Sequence, residues 1–392
     1  MQPQNLQATG IVAEYNPFHN GHLYHAQKAK ELTGQPVIAV MSGSFMQRGE
    51  PACLNKWQRA ALACANGVDL VLELPCAFSL RSAQYFAQGA VQALKATGCV
   101  SALACGAETA SRDFAALARR LSSSDTQSQI KRLIQKGSGY AAACSQALGD
   151  ISQPNDILAL EYCKALQGTD IVPLFLQRLD AGYNSTEISG SMASATAIRR
   201  SLSQGDGSWR QAVPENVRAA LASARPGYDR RLFWQLLSYR LRLLAPSQIA
   251  ERCQCGEGLE NLLKQAADCS SLDDALRRCV NKRYSASRIR RLFCQLLLDK
   301  PRSFWEQPQP AYLRVLAFND TGRLLLKTMK QTALLPLITK LGHAPTQNRS
   351  EAFVRQLELD LAATDLWSLV QYDDSLNRTG NDFLLSPRYV KI

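Results

Sequence analysis

The 392-residue chain has no apolar run approaching the roughly 20 residues that cross a bilayer. Its opening, Met1 to Gly10, has neither the basic start nor the apolar stretch of a secretory signal. These two lacks point to a soluble, cytoplasmic protein with no membrane partner. Histidine is scarce, with only His19, His22, His25 and His343. No CxxC occurs, nor any paired CxxC/HxxxH spacing, so a zinc site is not expected and no metal-ligating residue is assigned. Twelve cysteines are present but scattered, with Cys253 and Cys255 the one close pair. In a cytosolic chain they are read as small core hydrophobes rather than disulfides. Repeats and low-complexity tracts are missing too. With 46% hydrophobic and 20% charged residues, the composition excludes a disordered or fibrous chain.

What the chain does have is an uneven basic excess. The net charge is +12. Residues 1–198 carry 15 basic and 14 acidic side chains, residues 199–300 carry 19 and 10, and residues 301–392 carry 11 and 9. Most of the excess therefore sits in about a quarter of the chain. Such a field suits a polyanionic partner. A solvated helical surface rich in arginine is the plainer alternative.

The first half alternates short apolar runs with helical stretches. Strands are expected at Thr9–Glu14, Pro36–Met41, Val68–Leu74, Ser101–Cys105 and Ile171–Leu176. Helices are expected at about Gly21–Leu32, through Lys56–Cys64, at Ser82–Thr97 and over much of 112–167. Strands separated by helices predict an α/β fold with a doubly wound, parallel, Rossmann-like sheet. After about residue 195 strands disappear from the pattern. Leu and Arg at helical spacing take over, as in Arg231–Leu244 and Ser285–Leu298. The expected organisation is a domain over 1–198 followed by a mainly α-helical, basic region over 199–392.

The strongest local signal is Asn16-Pro17-Phe18-His19-Asn20-Gly21-His22, between the first strand and the first helix. It resembles the HxGH motif of the nucleotidylyltransferase superfamily. A helix N-terminus favours anions, so a nucleotide's phosphates suit this position. Gly21 lets a ligand approach closely. His19 and His22 can donate hydrogen bonds to an α-phosphate and stabilise the charge that builds up as pyrophosphate leaves. Ser194-Ala195-Thr196-Ala197-Ile198-Arg199 follows the last strand. Its hydroxyls and guanidinium suit β- and γ-phosphates, and a plain helix cap is the alternative reading.

Gly10–His22, Gln47–Pro51, Asp69–Pro75, Asn155–Tyr162, Ser194–Arg199, Lys282–Arg291 and Tyr312–Asn319 together resemble the bacterial tRNA(Met) cytidine acetate ligase family (TmcAL). Two small departures are Ala317, where most members have Gly, and Gly106-Ala107-Glu108, where they have Gly-Ser/Thr-Glu. The resemblance implies an ATP-dependent ligase that makes acetyl-adenylate from acetate. It then acetylates the wobble cytidine amine of elongator tRNA(Met), without acetyl-CoA and with Mg²⁺ accompanying ATP. By position, ATP would be wrapped by Gly10, Ile11, Val12, Ala13, Glu14, Tyr15, Asn16, Pro17, Phe18, Asn20, Gly21 and Leu23, with His19 and His22 at the α-phosphate. Gly106, Asn155, Arg178, Ser194, Thr196 and Arg199 would complete the nucleotide site. Arg48 and Lys56 are candidates for phosphate or acetate, and Arg59 for the same mouth or a helix face. Glu14 would orient a histidine or lie on the surface. For tRNA the candidates are Arg230, Arg231, Arg240, Arg242, Lys282, Arg283, Arg288, Arg290 and Arg291, with Tyr284 either stacking on a base or packing in the core. The competing readings are an adenylyltransferase acting on a small phosphorylated cofactor precursor and a non-enzymatic RNA-binding protein.

Overall fold

The computed structural model describes residues 6–149, 151–179, 188, 190–256, 258–343, 349–372 and 374–391. An eight-stranded sheet lies at its centre. The strands are β1 (Ala8–Ala13), β2 (Val37–Ser42), β3 (Leu70–Leu74), β4 (Val100–Ala107), β5 (Val172–Gln177), β6 (Leu313–Phe318), β7 (Leu337–Ile338) and β8 (Arg388–Tyr389). Their order is β5-β4-β1-β2-β3-β6-β7, with β8 also paired to β6. The first five run parallel. From β1 the chain winds outward to β2 and β3, then returns to place β4 and β5 on the other side. The carboxyl ends of β1 and β4 therefore flank the topological switch point, where folds of this kind bind ligands.

Strict alternation explains why both faces are covered. Ile38 and Val40 of β2 and Leu70, Leu72 and Leu74 of β3 face one core, where they meet Phe86 and Leu94 of a helix over Ala83–Ala96. Val37, Ala39 and Met41 face the other core, with Ala26, Ala29, Trp57 and Ala60. The period of two in the sequence buries both sides of the strand. The helices that matter below are α1 (Asn20–Thr33), α2 (Lys56–Ala65), α3 (Ala83–Ala96), α4 (Pro154–Leu166), α5 (Ala195–Gln204), α6 (Arg230–Leu243), α7 (Ala286–Leu298) and α8 (Glu351–Val370). Phe233 and Trp234 of α6 and Ile289 and Phe293 of α7 join the same core as Phe86 and Leu94. The basic helices are thus packed onto the sheet's own core.

One expectation is corrected here. Strands do not end near residue 195, because β6 pairs antiparallel with β3 and makes the sheet mixed. The reason lies in Arg314, which makes Leu313–Phe318 look amphipathic and exposed. In the structure Arg314 stands opposite Glu73 in the register and is buried with it. The twelve cysteines are free thiols, all buried except the half-buried Cys269. Among the described residues no helix is long and apolar enough to cross a membrane.

Candidate functional site

The site grows from the end of β1. Tyr15 turns the chain with φ of 47°, and the Asn16–Pro17 bond is cis. A positive φ is disfavoured for a bulky residue. It is held here because the Tyr15 ring is almost fully buried, 4.9 Å from the rings of both Phe18 and His22. His19 then caps α1. Its Nδ1 accepts the Gly21 N–H at 3.1 Å, and His22 Nδ1 accepts the His19 N–H at 3.3 Å. The rings stack with centroids 3.7 Å apart. Because each Nδ1 is an acceptor, each neutral imidazole carries its proton on Nε2. The cap therefore fixes two Nε2–H donors at the positive end of a helix.

Burial lowers the His22 pKa well below its usual value, helped by His19, Arg178 and His25. The ring is neutral before an anion arrives. His25, three residues further along α1, has its pKa pushed down to about 4 by burial, with Arg178 adding to the shift. Among the described residues its Nε2 has no hydrogen-bond partner. His25 was not among the sequence candidates, although its i+3 spacing from His22 places it on the same helix face. Between the ordinary value of 6.5 and about 4, the unfolded chain takes up a proton that folded His25 refuses. Stability is therefore lost as pH falls through this window. Urea unfolding at neutral pH and at about pH 5 should show that loss. His25→Gln should reduce it, leaving the part that His22 contributes, and an unchanged slope would exclude His25 as a source.

Charged groups ring the mouth. Arg199 donates through Nη1 to the Asn16 carbonyl at 2.8 Å and pairs with Glu50 at 3.5 Å. Arg290 of α7 reaches the other Glu50 oxygen at 3.3 Å. Glu14 Oε1 accepts the Gln47 N–H at 2.6 Å. Burial raises the Glu14 pKa, opposed by that hydrogen bond and by Arg199, Arg48 and Arg59. Burial lowers the pKa of Arg48, with Glu14 opposing. Glu14 thus ties the loop after β2 to the end of β1. Arg59 is buried and donates to the carbonyls of Leu54, Glu14 and Ser42 at 3.1, 2.6 and 3.1 Å, and to that of Gly43. It is a staple between strand ends.

Several candidates are placed differently from expectation. Gly10, Ile11 and Val12 are ladder residues of β1, paired with β2. A Cβ on Gly10 would lie 2.7 Å from Leu94, so packing explains that glycine. Asn20 spends its amide on the carbonyls of Ser191 and Gln211, at 2.8 and 3.0 Å. Ser194 caps α5 through the Ala197 N–H at 3.1 Å, while Thr196 is exposed. Asn155 donates to Glu108 at 2.6 Å, and the Glu108 and Asp156 carboxylates each accept a backbone N–H from the other's residue. That reciprocal latch holds the end of β4 against α4. Gly106 lies under the Arg178 side chain, 3.5 Å from where a Cβ would be.

Lys56 is corrected outright. Its ammonium is 1% exposed and held by Glu73 at 2.7 Å and Asp382 at 2.8 Å. Arg314 closes the group, 2.7 Å from Asp382 and 3.4 Å from Glu73. No charge is left for phosphate or acetate.

The nine tRNA candidates divide. Lys282, Arg283, Arg288 and Arg291 line an open cleft of ≈ 860 Å³. Arg230 and Arg290 line a separate small depression at Gly49. Arg231, Arg240 and Arg242 line neither. Arg230 is paired with Asp273, and Arg240 with Asp299. Arg291 is corrected in part, because it donates to the Gln47 carbonyl at 3.1 Å and burial lowers its pKa to about 10. Tyr284 is buried, with the guanidinium of Arg288 5.0 Å from its ring centroid, so it packs rather than stacks on a base. Among the described residues no group of three or more His, Cys, Asp or Glu side chains is placed to hold a metal ion.

A model of the HIGH Nucleotidyl Transferase family matches residues 6–382. A tRNA(Met) cytidine acetate ligase of Alkaliphilus metalliredigens is 36% identical, covering 98% of this chain and 99% of its own. One from Anoxybacillus flavithermus is 39% identical, covering 86% and 90%. The apo crystal structure of Thermotoga maritima TmcAL superposes with a TM-score of 0.92 at 31% identity, covering 99% of this chain and all of its own. The same protein bound with alpha-thio ATP gives 0.91 at 30% identity, with equal coverage.

Proposed function

The chain belongs to the HIGH nucleotidyl transferase family, among its tRNA(Met) cytidine acetate ligases, and on that premise we propose how it works. It activates acetate with ATP and acetylates the wobble cytidine of elongator tRNA(Met). An acetate oxygen attacks the α-phosphorus, the bond to the β-phosphate breaks, and pyrophosphate leaves. The cytidine amine then attacks the acyl carbon of the acetyl-adenylate. The acyl–oxygen bond breaks, AMP leaves, and the amine loses a proton to give N-acetylcytidine. Acetyl-CoA has no part in this, and the work belongs in the cytoplasm.

The observation that carries the reading is the fixed pair of Nε2–H donors at the start of α1, beside the switch point. Neutral donors bind the triphosphate modestly and strengthen as negative charge grows on the α-phosphate oxygens. Arg178 and Arg199, at the same mouth, supply positive charge for the phosphates. Holding acetate in line with the departing pyrophosphate supplies much of the remaining rate. Among the described residues there is no carboxylate cluster for Mg²⁺, so any Mg²⁺ enters as part of the nucleotide substrate and no step is assigned to it. In this division of labour 1–198 makes the adenylate and 199–392 supplies most of the tRNA surface.

Incubation with labelled acetate, ATP and tRNA should put label on cytidine. Transfer that depends on acetyl-CoA would overturn the reading. Binding should weaken steeply with salt, and Arg288→Ala should reduce the slope of log K against log salt by about one phosphate contact.

A further inference from the structure

We infer that Arg81 and Tyr85 form a platform for an unpaired RNA base, in a cleft tied to the adenylation site through Gln47; this rests on the tRNA reading above. The cleft is the one lined by Lys282, Arg283, Arg288 and Arg291, and Arg81, Tyr85 and Arg302 line it too. Among the described residues its lining carries six cationic side chains, of which Arg81 and Arg291 are engaged within the protein, and Glu306 as the one carboxylate. The guanidinium of Arg81 lies 3.3 Å from the centroid of the Tyr85 ring. Gln254 fixes it from the side, accepting from Nε at 3.1 Å. Arg81 is only 4% exposed, so it supports the ring rather than reaching for phosphate. Tyr85 is half-buried, in the first turn of α3.

A fixed aromatic ring among cations is the pattern that reads single-stranded nucleic acid, with cations on the backbone and a flat face for a base. The cationic lining suits a polyanion rather than a protein partner, whose interface core is depleted of charge. Gln47 joins the cleft to the reaction. Its side-chain amide donates to the Arg81 carbonyl at 3.2 Å, and its own carbonyl accepts Arg291. Its backbone N–H holds Glu14 at the ATP mouth. Gln47 thus bridges the wall of the cleft and the ATP mouth. A nucleotide flanking the target cytidine thus sits on Tyr85 while the cytidine itself turns into the reaction site.

The test measures tRNA affinity and acetate-dependent ATP–pyrophosphate exchange side by side. Tyr85→Ala and Tyr85→Leu should weaken tRNA binding by roughly 5- to 150-fold, the usual range for losing one base stack. Tyr85→Trp should restore it. The salt slope should stay as in the parent, because an uncharged ring releases no counterions. Exchange needs no RNA and should be unchanged. Parental tRNA affinity in Tyr85→Leu would overturn the platform. So would a loss of exchange with tRNA affinity intact, which would make the cleft part of the nucleotide site. Absence of exchange in the parent would instead count against the ligase reading, and the tRNA measurement would still decide the role of Tyr85.

Discussion

Replacing His22 by Ala is expected to cut acetate-dependent ATP–pyrophosphate exchange by roughly 10²–10³-fold, the usual effect of removing one preorganised donor to a developing charge. The loss should fall on kcat more than on the KM for ATP. The donor is fixed before the ligand arrives, and it gains strength only as charge builds on the phosphate. Affinity for tRNA should stay close to that of the parent, because His22 sits among Tyr15, Phe18 and His19, away from the basic cleft. His22→Gln offers an amide N–H and should recover part of the rate. His19→Ala should be worse for a second reason. It removes the cap that receives the Gly21 N–H, at a stability cost of about 1 kcal/mol. A His22→Ala enzyme with unaltered exchange would remove the histidine pair from the mechanism.

Lys56→Met should lower stability by about 3–5 kcal/mol, because it leaves buried carboxylates short of a partner. Glu73 and Asp382 would then share Arg314 alone. Urea unfolding gives the magnitude, and exchange measured well below the melting temperature should remain. The opposite pattern, lost exchange with parental stability, would return Lys56 to the phosphate or acetate role that its position after the Gln47–Pro51 loop suggests. The coupling is specific to this geometry. In Arg314→Met the sign of the effect should be the same, and the two costs should not add in the double variant, because the residues share two partners.

The N-terminal half was legible because its chemistry is local. Each strand there is a short apolar run closed by a turn, and His19 and His22 lie within one helical turn. Their donors can be placed from sequence once the strand before them is recognised. The rest depends on distant partners. Arg314 reads as a surface charge until Glu73 is known to stand opposite it. Lys56 reads as a ligand for an anion until Asp382, more than 300 residues away, is found beside it. Arg290 and Arg291 read as RNA contacts, but Gly49 lets the backbone of α7 come so close that a Cβ there would lie 2.3 Å from the Arg291 nitrogen. Tyr85 carried no signal at all. Nothing in its neighbourhood of sequence announces that Gln254 holds Arg81 beneath it.

The antiparallel strand β6 has a consequence for synthesis. Glu73 leaves the ribosome about 240 residues before Arg314, an interval of roughly 12–48 s at about 5–20 residues per second. During that time the β3 edge has no neighbour, and Lys56 with Glu73 lacks both Arg314 and Asp382. An exposed strand edge invites pairing with other chains. The nascent protein therefore holds its nucleotide-binding half open to misassociation until the last quarter emerges, and its yield at high temperature or without chaperones should be limited by that wait.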